Sequence, residues 1–146
     1  MNTYYKYKDK KIVQFLSNSV LIRTELEKVG ITFLVSDFMD IEQFTQQIKD
    51  QYGFTGHDEF KIWNEFVRKN VHHHSSPESR MFLVGSGKYY IQVEDYTIEL
   101  SVNPGTFIII PINLKHYFNT DEQTIFLRFF SDNGSTELDD LTGEIK

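Results

Sequence analysis

Val71-His72-His73-His74-Ser75-Ser76-Pro77-Glu78-Ser79-Arg80 is answered further along the chain by Pro111-Ile112-Asn113-Leu114-Lys115-His116. In an extended segment side chains alternate across the strand, so His72 and His74 share one face and His73 takes the other. Pro77 cannot donate to a ladder and favours a bend, which returns the Glu78 carboxylate toward the two imidazoles. His116, following an apolar strand-like run that ends at Pro111, is the candidate for a fourth ligand. Three neutral imidazoles and one carboxylate suit a divalent transition ion such as iron, nickel, cobalt, manganese or zinc, and six-coordination leaves two positions for a substrate.

From this stretch onward the hydropathy period is two, interrupted by turn residues. Strands are expected over residues 80–84, 88–93, 96–102, 106–110, 115–119 and 124–130, separated by Gly85-Ser86-Gly87, Glu94-Asp95 and Asn103-Pro104-Gly105. About six or seven short strands in succession predict a small antiparallel barrel or double-sheet jelly roll. Gly85-Ser86-Gly87-Lys88 is not a phosphate loop, because Phe82 stands where the first glycine is needed and a strand follows where a helix should begin.

Upstream the chain reads as richer in helix. One strand is expected within residues 3–16, and then a helix capped by Ser17 or Ser19 and running to Val29. Val20, Leu21, Leu26 and Val29 form its core face, and Gly30 offers a left-handed stop. A short strand over residues 31–35 precedes a helix over about 40–51, with Ile41, Phe44, Gln47 and Ile48 on one stripe and Gly53 past its end. Phe60, Trp63, Phe66 and Val67 recur at helical spacing and predict a third helix within residues 57–68. The organisation expected is one domain over residues 1–146, with an N-terminal part (1–70) packed on a metal-binding barrel core (71–130) and a polar tail (131–146).

A chain of 146 residues can bury a core without staples. The absence of cysteine excludes disulfides, thiolate metal sites and a cysteine nucleophile, and agrees with a reducing compartment. No apolar run reaches the length of a signal-peptide core or a membrane span, so a cytoplasmic location is expected. The net charge of −6 argues against nucleic acid as a partner. Lys6, Lys8, Lys10 and Lys11 form a basic cluster that reads as a solvated terminal strand. Thirteen phenylalanines and eight tyrosines suit a barrel filled by large side chains.

Three interior positions stand out by alternation. Arg80 lies two residues after Glu78 and shares its face, where a buried cation needs an anionic substrate or a ligand carboxylate to orient. Arg128, between Leu127 and Phe129, raises the same question, with a salt bridge to an interior carboxylate or an outward position as the other answers. Phe118, two residues beyond His116, is either a wall of the site or plain core. His73 and His57 read as structural or solvent-facing.

The spacing His72-x-His74-x-x-x-Glu78, with Gly85 to follow, resembles the first cupin motif with Phe66 in place of its leading glycine. Gly105, Pro111, Asn113 and His116 resemble the second. In detail the chain is similar to the acireductone dioxygenase family. Glu78-Ser79-Arg80 resembles its Glu-x-Arg, Gly85-Ser86-Gly87 its Gly-Ser-Gly, His116-Tyr117-Phe118 its His-Trp/Tyr-Phe, and Leu127-Arg128-Phe129-Phe130 its Leu-Arg-Leu-Phe. Glu27 to Ile31, Gln51 to Phe54 and Leu141 to Glu144 carry weaker likenesses. Lys69, Asn70, Val71, Ser75, Ser76 and Pro77 stand where the family usually has acidic residues around its ligands, and a deletion falls between residues 54 and 66.

The resemblance implies a mainly β, cupin-type antiparallel barrel with helices from the N-terminal half. It implies one divalent metal per chain, Fe2+ first and Ni2+ second, held by His72, His74, Glu78 and His116. The implied reaction is dioxygen-dependent cleavage of an acireductone, 1,2-dihydroxy-3-keto-5-methylthiopentene, in methionine salvage. With iron the family yields formate and the 2-oxo acid precursor of methionine, and with nickel a cleavage that also releases carbon monoxide. Arg80 and Arg128 would hold the anionic substrate and Phe118 would help exclude water. The expected partners are that small molecule and O2, with no nucleic acid or membrane, and the chain is expected to be a monomer or weak homo-oligomer. Two other readings stay open: a diverged oxygenase or isomerase acting on another small enediol or keto substrate, and a non-catalytic ligand-binding cupin.

Overall fold

The computed structural model describes residues 1–37, 40–62 and 77–131 together with the backbone of Phe66–Val67. The elements, in chain order, are β1 (Tyr4–Lys8), β2 (Lys11–Leu16), α1 (Ser19–Glu27), β3 (Thr32–Val35), α2 (Ile41–Tyr52), β4 (Gly56–Ile62), β5 (Phe66–Val67), β6 (Glu78–Val84), β7 (Gly87–Val93), β8 (Tyr96–Val102), β9 (Thr106–Ile110), β10 (His116–Thr120) and β11 (Thr124–Phe130). They build two antiparallel sheets, of six strands in the order β2-β1-β8-β7-β10-β5 and of five in the order β3-β9-β6-β11-β4. The mainly β architecture expected from the period-two pattern is therefore present.

Alternation decides which side chains enter the space between the sheets. Tyr89, Ile91, Ile98, Leu100 and Phe118 point inward from the six-stranded sheet and meet Phe33, Phe82, Ile108 and Phe126 from the other. The outward residues of the same strands, such as Lys88 and Gln92, are exposed. The five-stranded sheet is covered on both faces, because α2 lays Phe44 and Ile48 against Met81, Phe107, Leu127 and Phe129. This explains why Glu78 through Phe82 are buried without alternation. Each of the two helix anchors contributes about 1.5–3 kcal/mol of burial.

The helix boundaries have local causes. Asp40 caps α2 by accepting from the Gln43 amide at 2.9 Å, and Gly53 ends it at φ 73°. For α1 the cap is Asn18, whose Oδ1 accepts from Val20 and Leu21 amides at 2.9 and 3.1 Å. That sits between the two serines expected to do it. The buried stripe is Ile22 and Leu26, whereas Val20 and Leu21, expected in the core, are 70% and 52% exposed.

Two further expectations are corrected. Residues 3–16 form a hairpin instead of one strand, since Asp9 and Lys10 both take positive φ (52° and 64°) and make the tight turn that right-twisted strands favour. Residues 57–62, expected as helix, belong to β4. Beneath the three-residue spacing of aromatics runs a period-two pattern of His57, Glu59 and Lys61 outward, and full-length pairing with β11 decides in its favour. The first half of the chain thus supplies strands to both sheets beside its two helices. Trp63, His72, His73, His74 and the tail from residue 132 lie outside the described residues. Among the described residues no helix is long and apolar enough to cross a membrane.

Candidate metal centre

Glu78 opens β6, where it pairs with Ile110 of β9. His116 opens β10, where it pairs with Ile91 of β7. The two strands belong to different sheets, and both side chains point into the space between them. Glu78 Oε1 and His116 Nε2 stand 3.2 Å apart, with only 1–2% of either side chain exposed.

The imidazole is set by the turn before it. Leu114 donates back to the Pro111 carbonyl at 3.3 Å, and this turn aims the Leu114 carbonyl at His116 Nδ1, 2.8 Å away. A carbonyl only accepts, so Nδ1 carries the proton and Nε2 presents its lone pair to the Glu78 side in the neutral ring. A ligating histidine usually has its other nitrogen tied in this way.

The second carboxylate oxygen is tied elsewhere. Tyr89 of β7 donates its hydroxyl to Glu78 Oε2 at 2.6 Å, and Arg80 Nη1 lies 3.1 Å from the same oxygen. Burial, and then the Glu78 charge, push the Tyr89 phenol well above its ordinary pKa, with Arg80 acting in the opposite direction. The hydroxyl therefore stays a donor. Oε1 faces His116 Nε2, and in the neutral ring protonated at Nδ1 both atoms offer lone pairs to one buried space. Two ligands each about 2.1 Å from a divalent ion and at right angles stand about 3.0 Å apart, so this pair fits a cation.

Of the residues singled out in the sequence, Glu78, Arg80 and His116 are thus brought together. His72 and His74 lie outside the described residues, and among the described residues no group of three metal-binding side chains converges. Arg128 is the register neighbour of Arg80 across β11 and β6 and of Asp58 across β11 and β4. Its guanidinium donates to both Asp58 oxygens, at 2.8 and 2.6 Å, and lies 4.7 Å from the Phe60 ring centroid. A salt bridge is thus present, but its carboxylate is 36% exposed and not an interior one. Phe118 packs between Phe82 and Tyr89, at centroid distances of 5.6 and 4.9 Å, while Tyr89 itself lies 6.1 Å from the His116 ring. Phe118 is one ring removed from the imidazole. His57 is exposed on β4 against Phe129.

Tyr89 is the residue beside Glu78 that sequence reasoning missed. The available signal was its inward place in the alternation of β7, because a buried phenol needs a hydrogen-bond partner.

Comparison with known proteins gives a consistent picture. The model of the ARD/ARD' family matches residues 39–137. The acireductone dioxygenase of Bacillus cytotoxicus is 25% identical over 138 residues, covering 87% of this chain and 77% of that enzyme. The acireductone dioxygenase of Bacillus subtilis is 37% identical over a shorter stretch of 65 residues, 42% of this chain and 36% of that enzyme. Among solved structures, an acireductone dioxygenase from Bacillus anthracis with a cadmium ion in its active centre superposes with a TM-score of 0.72 at 17% identity, covering 92% of this chain and 95% of that one. At that identity the likeness is one of fold.

Proposed function

The chain belongs to the ARD/ARD' family, and on that premise we propose that it is a metal-dependent dioxygenase that cleaves an acireductone with O2 in methionine salvage. The observation that carries the reading is the buried pair of Glu78 Oε1 and His116 Nε2 at 3.2 Å, with each partner's remaining polar atom already bound to protein. His72, His74, Glu78 and His116 would hold one divalent ion, which when bound supplies Lewis acidity toward the oxygens of a chelated enediolate.

The chain's own groups do the rest. Tyr89 and Arg80 hold one carboxylate oxygen and so orient the other. The Leu114 carbonyl selects the tautomer of His116. Arg80, 4.9 Å from the Phe126 ring centroid, keeps positive charge behind the site and favours an anionic substrate. Arg128 extends that charge along the same row of the sheet, although its fork is engaged by Asp58. Phe118, with Phe82, backs Tyr89 and keeps water from its hydrogen bond. Iron or nickel as the metal, a cytoplasmic location, and a monomer or weak homo-oligomer as the working form belong to the same proposal.

A second reading rests on Lys69, Asn70, Val71, Ser75, Ser76 and Pro77, which change the charge beside the proposed ligands and suit a diverged enzyme with another small enediol. One experiment separates the two: elemental mass spectrometry of the untagged protein, then anaerobic addition of an acireductone followed by oxygen. Metal near one per chain with rapid loss of the enediolate absorbance is expected. Metal without turnover selects the diverged enzyme, and absence of metal refutes both.

A further inference from the structure

One row of residues across the outer face of the six-stranded sheet is unusual in composition. Phe15 pairs with Tyr5, Tyr5 with Glu99, Glu99 with Tyr90 and Tyr90 with Tyr117, one residue from each of five neighbouring strands. Directly opposed residues share a face, so a single carboxylate stands between two banks of rings. Phe15 and Tyr5 form one bank, with centroids 4.8 Å apart, and Tyr7 continues it 6.2 Å from Tyr5. Tyr90 and Tyr117 form the other, stacked at 4.7 Å and 15°. Because Tyr117 takes one face of the Tyr90 ring, the remaining face is turned to the Glu99 side. The two helices pack elsewhere, α1 beside β3 and α2 on the five-stranded sheet.

Glu99 is not a solvated surface carboxylate. Its side chain is only 16% exposed, and a carboxylate so placed calls for partners. Burial first, and then Glu99, hold the Tyr7 and Tyr90 phenols above their ordinary pKa, that of Tyr90 at about 12. Phenols that stay protonated remain donors, so they occupy lone pairs of the carboxylate without cancelling its charge. Lys88 meets that charge only loosely, with Nζ 3.9 Å away on a half-exposed side chain. Beside the row lies a cavity of about 600 Å³ lined by Tyr7, Tyr90 and Glu99. Its rim sets Asp9, Glu94 and Asp95, from the turns of two hairpins, against Lys10. One ring of the lining already carries a cation, since Lys6 Nζ stands 4.2 Å from the Tyr96 centroid.

We propose that this cavity binds a small quaternary ammonium ion, held between the Tyr7 and Tyr90 rings with the Glu99 carboxylate beneath it. Ring faces around a fixed carboxylate attract cations in general, and hydrogen bonding selects among them. A primary ammonium is strongly hydrated and brings N–H donors that need acceptors in place of water. Glu99 already accepts from two phenols and has little left to offer them. A methylated cation has no N–H to satisfy and lays its methyl groups against the rings, the arrangement aromatic cages use. Tyr90 and Tyr117 follow Tyr89 and His116 in sequence and face the opposite way. The cavity and the metal centre therefore lie on opposite faces of the same strands, and cation binding needs neither metal nor turnover.

The test is a titration of the protein with choline chloride, against sodium chloride at equal ionic strength, read by proton NMR. Saturable binding is expected, with an upfield shift of the choline methyl signal and Overhauser transfer to tyrosine ring protons. The neutral isostere of choline, in which carbon replaces nitrogen, should bind about tenfold more weakly or worse, and so should choline to Glu99→Gln. Tyr7→Leu should weaken choline to a similar degree, whereas Tyr7→Phe, which keeps the ring, should retain it. Each variant is compared at an unchanged circular dichroism spectrum. Absence of saturation, equal affinity for the isostere, or a Glu99→Gln variant that binds choline as the wild type does overturns the proposal. So does a wild type that sediments at twice the chain mass and leaves the choline signal unshifted, because a second copy then covers this face.

Discussion

Replacing Tyr89 with Phe would remove one oxygen and leave the ring where it packs against Phe82, Phe118 and His116. What is lost is the 2.6 Å bond to Glu78 Oε2, made inside the protein to a charged acceptor. A hydrogen bond to a charged group is worth about 1.5–3 kcal/mol net. If that bond serves to hold the carboxylate in its ligating orientation, its loss appears in the metal equilibrium as about a tenfold to hundredfold weaker affinity, since each 1.4 kcal/mol is about a factor of ten. Outer-shell partners of metal ligands in general cost about the same when removed. Arg80 still touches the same oxygen at 3.1 Å, so binding should weaken and not vanish. The assay is a competition titration with a chelator of known affinity, read by Co2+ absorbance. Tyr90→Phe serves as a control, because that side chain lies on the outer face of the same strand, stacked on Tyr117. An affinity for Tyr89→Phe equal to that of the control, at wild-type secondary structure, would refute the positioning argument.

Other changes have separate consequences. Glu78→Ala or His116→Ala should leave the protein without metal while keeping its far-ultraviolet spectrum, and the glutamate variant should lose about 3–5 kcal/mol in urea denaturation because Arg80 loses a buried counter-charge. Gly87→Ala would place a methyl group 2.3 Å from Phe118 Cζ, and an unfolding free energy lowered by about 1–3 kcal/mol through overpacking is expected in urea denaturation. Glu122 accepts from the Ser86 hydroxyl and amide at 2.8 and 2.6 Å, which holds its carboxyl below the ordinary glutamate value, the hydroxyl contributing most. A depressed carboxyl stabilises the fold above its unfolded pKa and loses that contribution as pH falls through the folded one. An NMR titration of the Glu122 side chain should show the low value, and Ser86→Ala should move it part of the way back.

The strands from Glu78 to Phe130 were legible because turn residues punctuate them. Gly85, for example, takes φ 74° where an added Cβ would meet the Gln123 carbonyl at 2.1 Å, so the glycine marks the turn in sequence as firmly as in space. Residues 57–62 were not legible, because a helical spacing of aromatics and a strand alternation coexist there. The choice was made by β11, a strand distant in sequence. Val20 and Leu21 misled for a related reason, since the period of α1 was right but its phase depends on which side meets β3. At the site, Glu78 and His116 could be read from their spacing around turns. Tyr89 could not, as it stands in a regular strand with no motif of its own and meets Glu78 only when the two sheets face each other.

Glu78 and His116 start strands of different sheets, and that has a mechanical meaning. An ion gripped by both would act as a rivet through the sandwich, and any excursion that slid the sheets apart would have to release it. Amide exchange in β6 and β10 should then slow together as free metal rises, with the gain following the mass-action law for a ligand that binds only the closed state. Loading the centre would stiffen the middle of the molecule along the line joining the two sheets and leave the outer hairpin as labile as before.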